Sequence, residues 1–133
     1  MIFWFEKHNK ISWIITILIA IFIFYISSLS FEPTPIGGFT LDTAMYHFYT
    51  FFFLCIFLLI SLIRGKFKNK NLIFISIILA ILYAISDEIH QLFVVGRVCA
   101  ISDVLIDSVG ILLAGYLYLL LLLGKKTSKS LKK

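Results

Sequence analysis

Six ionisable side chains sit in three short stretches of an otherwise apolar sequence. His47 follows Tyr46 near the start of one apolar run. Asp87, Glu88 and His90 close a second run in Ser86-Asp87-Glu88-Ile89-His90-Gln91. Asp103 and Asp107 open a third in Ser102-Asp103-Val104-Leu105-Ile106-Asp107. Carboxylates crowded together and partly buried can act as general acids or bases near neutral pH. Asp87, Glu88 or Asp107 would then be the base and His90 a proton carrier. The same oxygen-rich set could hold a divalent cation such as Mg²⁺ or Mn²⁺, although no residue spacing identifies a particular metal. His47, Gln91, Arg97 and Asp103 read as binding positions, with the Arg97 guanidinium suited to clamp an anionic headgroup through paired hydrogen bonds. There is no nucleophile elbow and no phosphate-binding loop.

Helical spacing groups these residues further. Ala80, Ala84, Asp87 and Gln91 form one stripe, and Asp103, Asp107, Gly110 and Ala114 repeat its offsets. On two antiparallel helices joined by a short loop, Gln91 would lie level with Asp103, Asp87 with Asp107, Ala84 with Gly110 and Ala80 with Ala114. The expectation is a close contact of small residues in one half and a polar pocket in the other. Simpler roles compete: Asp103 near a helix start could be a cap, and His47 an interfacial hydrogen-bonder. Asp87 and Asp107 lie a turn deeper, where capping does not account for them.

The elements that position these residues follow from composition. Hydrophobic residues make up 61% of the 133 and charged residues only 14%, against about 45–50% and about 25% in soluble domains. A core of this size could not bury that surplus, so lipid is the expected solvent. Apolar runs at 11–29, 44–63, 71–95 and 101–123 each come close to or exceed the ~20 residues that cross a bilayer as a helix. The fold class is therefore an all-α bundle of four transmembrane helices, spanning residues 1–124 and followed by a basic tail at 125–133 expected to be disordered. A signal-peptide reading of the first run is disfavoured, because its apolar core exceeds the usual ~7–15 residues.

Lys7 and Lys10 precede the first run, and Arg64, Lys66, Lys68 and Lys70 separate the second from the third. Lys125, Lys126, Lys129, Lys132 and Lys133 follow the fourth, whereas the remaining connections carry only Arg97. The positive-inside rule then places both termini in the cytoplasm and the acidic cluster near the outer face of the cell membrane. The net charge of +5 is spread over these short runs, which suits lipid headgroups and not nucleic acid. Cys55 falls mid-span and Cys99 in a loop, too far apart in depth for a disulfide.

The stretch from Ala84 through Asp87, Glu88, His90, Gln91, Phe93, Gly96 and Arg97, followed by Asp103, Asp107 and Gly110, resembles the signature of the VanZ-like family. His47-Phe48 and Ser27-Ser28 are similar to further family positions, while Val95 stands where the family pattern has Pro. The resemblance implies a small multi-pass membrane protein linked to resistance to the glycopeptide teicoplanin or to other envelope-directed antimicrobials. Its partners would be membrane lipids, a lipid-linked cell-wall precursor or the glycopeptide itself, engaged by the outer pocket, and oligomerisation is open. An enzyme acting on a lipid headgroup is the alternative. Transport would need several copies, and no polar residues continue through the inner half.

Overall fold

The computed structural model describes residues 2–30, 41–97 and 99–130, with side chains to residue 128. A short helix α1 (Ile2–Lys7) leads into four long ones: α2 (Asn9–Ser27), α3 (Leu41–Ile63), α4 (Leu72–Gln91) and α5 (Ile101–Ser130). A single 3₁₀ turn at Phe67–Asn69 links α3 to α4. The described residues are all-helical, and α2 to α5 are long and apolar enough to cross a membrane. Backbone groups in hydrocarbon must satisfy one another within a helix, which is why uninterrupted apolar runs fold this way. Ile17, Leu18, Ile21, Phe74 and Leu82 remain exposed on the outside of the bundle, as a lipid-facing surface requires.

Several boundaries differ from expectation. Helix α3 begins at Leu41, and α4 stops at Gln91 instead of reaching Val95. Beyond it, Arg97 N–H donates to Val94 O at 3.1 Å, closing a turn with Gly96 at φ 81°. Such a turn takes Gly at its third position and commonly Pro at its second. Val95 fills that second position, so the turn closes without Pro. The basic tail is helical through Ser130 and not disordered over the described residues. At 30 residues, α5 is about 45 Å long and outruns the roughly 30 Å apolar layer. Its last turns therefore carry Lys125 and Lys126 clear of lipid. The expected turn formers Pro33, Pro35, Gly37 and Gly38, and the end of the tail, lie outside the described residues.

Helix α3 is the hub, with its largest interface against α5 and a second against α2. The core runs through Phe51, Leu54, Leu59 and Ile60 of α3 to Ile23 of α2 and Ile111, Tyr118 and Leu122 of α5. The small residues Ala80, Ala84, Gly110 and Ala114 are buried as expected. The partner of Gly110 is not Ala84, however. A Cβ there would stand 2.5 Å from the Phe48 carbonyl oxygen, so the glycine lets the backbones of α5 and α3 touch. Gly115 is the one that faces α4, against Ile77 and Ile73. The reason is that α5 packs on two helices at once, and the Asp103–Ala114 stripe turns toward α3.

At the basic end, Glu6 of α1 ties three segments together. It accepts a 2.9 Å hydrogen bond from Tyr118 and pairs with Lys125, while Gly65 N–H donates to the Tyr118 hydroxyl at 3.2 Å. Lys125 also lies 4.4 Å from the Phe3 ring. The two ends of the described chain thus meet at one end of the bundle, opposite the acidic cluster.

Candidate functional site

At the other end of the bundle, α3, α4 and α5 each deliver ionisable side chains to one interior region. His47 comes from the second turn of α3, Asp87, Glu88 and Gln91 from the last turns of α4, and Asp103 and Asp107 from the first turns of α5. All except Asp103 are buried, and Asp107 is fully so.

The His47 imidazole organises the centre. Its Nδ1 lies 3.1 Å from Asp107 Oδ1. An ionised carboxylate only accepts, so Nδ1–H is the donor. Its Nε2 faces Asp103 Oδ2 at 3.7 Å. One donor atom from each of His47, Glu88 and Asp103 lies within 4.8 Å of the others. Glu88 is pinned on both sides: Oε2 accepts the Ala100 N–H at 2.9 Å, and Oε1 accepts from the Gln91 amide at 3.3 Å. An acid of α4 thus receives the backbone N–H just ahead of α5, in the role a capping side chain would play. Gln91 also donates to Asp87 Oδ2 at 3.3 Å, holding two like-charged neighbours with one amide. Asp103 occupies the first turn of α5, where the helix dipole favours an acid, and accepts from Ser102 at 3.3 Å.

Four buried polar atoms here lack a hydrogen-bond partner: Asp87 Oδ1, Asp107 Oδ2, the Tyr46 hydroxyl and Ser27 Oγ. Asp87 and Asp107 lie within Coulombic reach of each other and of Tyr46. Ser27 sits beside Asp87 without reaching hydrogen-bond geometry. Buried polar groups are almost always satisfied. These four oxygens are exceptions to that rule, and three of them belong to residues in electrostatic reach of one another.

Two expected site residues reach α2, and Arg97 also lies in electrostatic reach of Tyr46. His90 stacks on Phe24 of α2 with centroids 4.6 Å apart, and its Nε2 is 3.0 Å from Ser28 Oγ. The Ser28 hydroxyl already donates to Phe24 O at 2.7 Å, so His90 donates to it. His90 is thus a strut between α4 and α2, in electrostatic reach of Asp87. Arg97 reaches back to the end of α2, donating to Leu29 O at 3.1 Å and Ile26 O at 2.5 Å. A guanidinium on the last carbonyls of a helix satisfies orphaned acceptors and complements the dipole. Cys99, in the α4–α5 turn, is half-buried, and burial followed by the Glu88 carboxylate raises its thiol above the usual range. Cys55 is buried, and both cysteines are free.

The matched family model, described as VanZ/LLP1, covers residues 12–122, from α2 to nearly the end of the apolar part of α5. The chain belongs to the VanZ/LLP1 family. No curated protein and no solved structure matches it. The matched region of this VanZ/LLP1 chain includes every residue of the acidic cluster and Arg97, but leaves out Glu6 and Lys125 of the basic end. The sequence alone did not mark Tyr46 as a neighbour of the acids, because an aromatic near a span end is ordinarily an interfacial anchor. Nor did it mark Ser27 and Ser28 as neighbours of Asp87 and His90, since hydroxyls at a helix end ordinarily bond their own backbone.

Proposed function

We propose that this VanZ/LLP1 protein acts in the cell envelope by engaging a polar headgroup at the outer face of the plasma membrane. A lipid-linked cell-wall precursor is the ligand class in view, and the outcome is altered susceptibility to teicoplanin or another envelope-directed antimicrobial. The positive-inside distribution of Lys and Arg supports the orientation. The carrying observation is the pair of orphaned buried oxygens on Asp87 and Asp107. They suit a hydroxyl- or amine-bearing headgroup that donates hydrogen bonds, and lipid chains could enter between the exposed apolar faces of the helices. The test is expression in a teicoplanin-sensitive host beside an Asp107→Asn variant at matched membrane levels. A change in susceptibility that the variant abolishes is expected; identical susceptibility with and without the wild-type protein contradicts the reading.

A second reading is favoured by one contact, the Asp107–His47 hydrogen bond. An imidazole oriented by a carboxylate is a competent acid–base group, so the protein would be an enzyme acting on the headgroup it binds. Purified protein turning over labelled envelope lipids, with loss of turnover in His47→Gln, is the expected result. Binding without turnover leaves the first reading alone standing.

A further inference from the structure

We infer that His47, Glu88 and Asp103 ligate one divalent metal ion of the Mn²⁺ or Zn²⁺ class, with Asp107 as the positioning residue behind His47. The inference rests on reading this cluster as a working pocket, but needs neither a particular headgroup nor catalysis.

The first support is the convergence of the three donors within 4.8 Å. Ligand bonds of about 2.0–2.2 Å place two ligands of one ion at most ~4.4 Å apart. That limit holds for ligands on opposite sides of the ion, and a tetrahedral pair stands about 3.4 Å apart; the widest pair therefore has to close by a few tenths of an ångström to somewhat over about 1 Å, within the reach of side-chain rotation. The second support is independent of the cluster's acidity and lies in how His47 is held. Its Nδ1–H is committed to Asp107 Oδ1 at 3.1 Å, which fixes the tautomer and leaves the Nε2 lone pair pointing toward Asp103 Oδ2 at 3.7 Å. A carboxylate that orients a histidine by its far nitrogen is the recurrent outer support of metal-binding imidazoles. The third is the remaining oxygen of Asp107. Its Oδ2 is fully buried and unpartnered, an acceptor that nothing in the described cluster satisfies.

The donor types select the ion. One imidazole with two carboxylates suits Mn²⁺ or Zn²⁺, whereas Mg²⁺ and Ca²⁺ favour all-oxygen sets. Three protein ligands leave at least one position open, the arrangement of metal sites that take water or a substrate oxygen in the vacant place. An ion here would also relieve the mutual repulsion of the acids.

The experiment uses the full chain in detergent or nanodiscs, stripped with chelator and titrated with MnCl₂. Electron spin-echo spectroscopy then tests for one coupled imidazole nitrogen, and Zn²⁺ competition tests the class of ion. One tight ion per chain is expected, with a nitrogen coupling that His47→Gln removes and His90→Gln keeps. Glu88→Gln should weaken Mn²⁺ binding at least tenfold, and Asp107→Asn should weaken it 10- to 100-fold while the nitrogen coupling persists. Wild-type protein with no stoichiometric Mn²⁺, or with bound Mn²⁺ lacking nitrogen coupling, overturns the assignment whatever the variants do. So does a coupling that is lost in His90→Gln and survives in His47→Gln. Because susceptibility to antibiotics is not read, failure here leaves the headgroup reading to its own test.

Discussion

Asp107 is the residue at which the proposed headgroup reading and a purely structural role predict different outcomes. It is fully buried, has one oxygen on His47 and the other on nothing, and stands in reach of another carboxylate. Leaving a buried polar atom unpaired costs about 1–3 kcal/mol, a burden that a structural position sheds and a functional one retains. Asp107→Asn should therefore accumulate in the membrane at the normal level and melt at an unchanged or higher temperature, while losing the envelope phenotype. A lower melting temperature together with poor accumulation would make the acid a structural member. Glu88, with both oxygens engaged, should respond oppositely, because Glu88→Ala strands the Ala100 N–H and the Gln91 amide. Melting of that variant is expected to fall by about 1–3 kcal/mol in stability. At this scale the sequence was informative about which residues come together and less so about their partners. Asp87, Asp107 and Glu88 were legible because charges in a span are rare, and Gln91 because it continues the Asp87 stripe at fixed helical spacing. The α2 contacts of His90 and Arg97 were not legible, because spacing along one segment says nothing of a neighbour two elements away. The Phe24 ring, the Ser28 hydroxyl and the α2 carbonyls that claim them sit more than 60 positions distant.

The element that decides the site is α3. Stripes on α4 and α5 suggested a two-helix hairpin, yet α5 leans on α3 more than on α4, and His47 enters the cluster from there. Gly110 makes this approach possible, since any side chain would meet the Phe48 carbonyl. Gly110→Leu should force α5 away from α3 and destabilise the bundle by about 1–3 kcal/mol, read as a lower melting temperature in detergent. Gly124, with open space around it, should tolerate Gly124→Leu with little change. The four spans were legible because apolar length alone decides them. The end of α4 was blurred because the turn that stops it, closed locally from Val94 to Arg97 with Gly96 at positive φ, follows without a break in apolar residues, and the helical tail was not legible because Lys125 finds tertiary partners in Glu6 and Phe3.

At the scale of the whole molecule, two polar clusters lie at opposite ends of an apolar bundle. Glu6, Tyr118, Lys125 and the Gly65 N–H form the basic one. Glu6→Ala should release α1, seen as faster proteolysis between α1 and α2 with α2 to α5 intact; unchanged cleavage would show that α1 is held by its apolar contacts alone. Cys99 reports which side the acidic end faces. In intact cells an impermeant maleimide should label Cys99 and spare buried Cys55. Only the thiolate reacts, and the Cys99 thiol is raised above its usual range. Labelling should therefore be slow at pH 7 and accelerate as pH rises toward 9. Labelling of Cys99 only after the membrane is opened would invert the orientation. The central claim, that α3 and α5 bring His47 and the acids into one cavity, is tested most directly by cross-linking. His47→Cys and Asp103→Cys, in a chain carrying Cys55→Ser and Cys99→Ser, should be joined within one molecule by a short bifunctional thiol reagent. The pair Ser28→Cys and His90→Cys serves as the positive control. A control that cross-links beside a 47–103 pair that does not would show that these side chains face different surroundings, and the pocket would not exist.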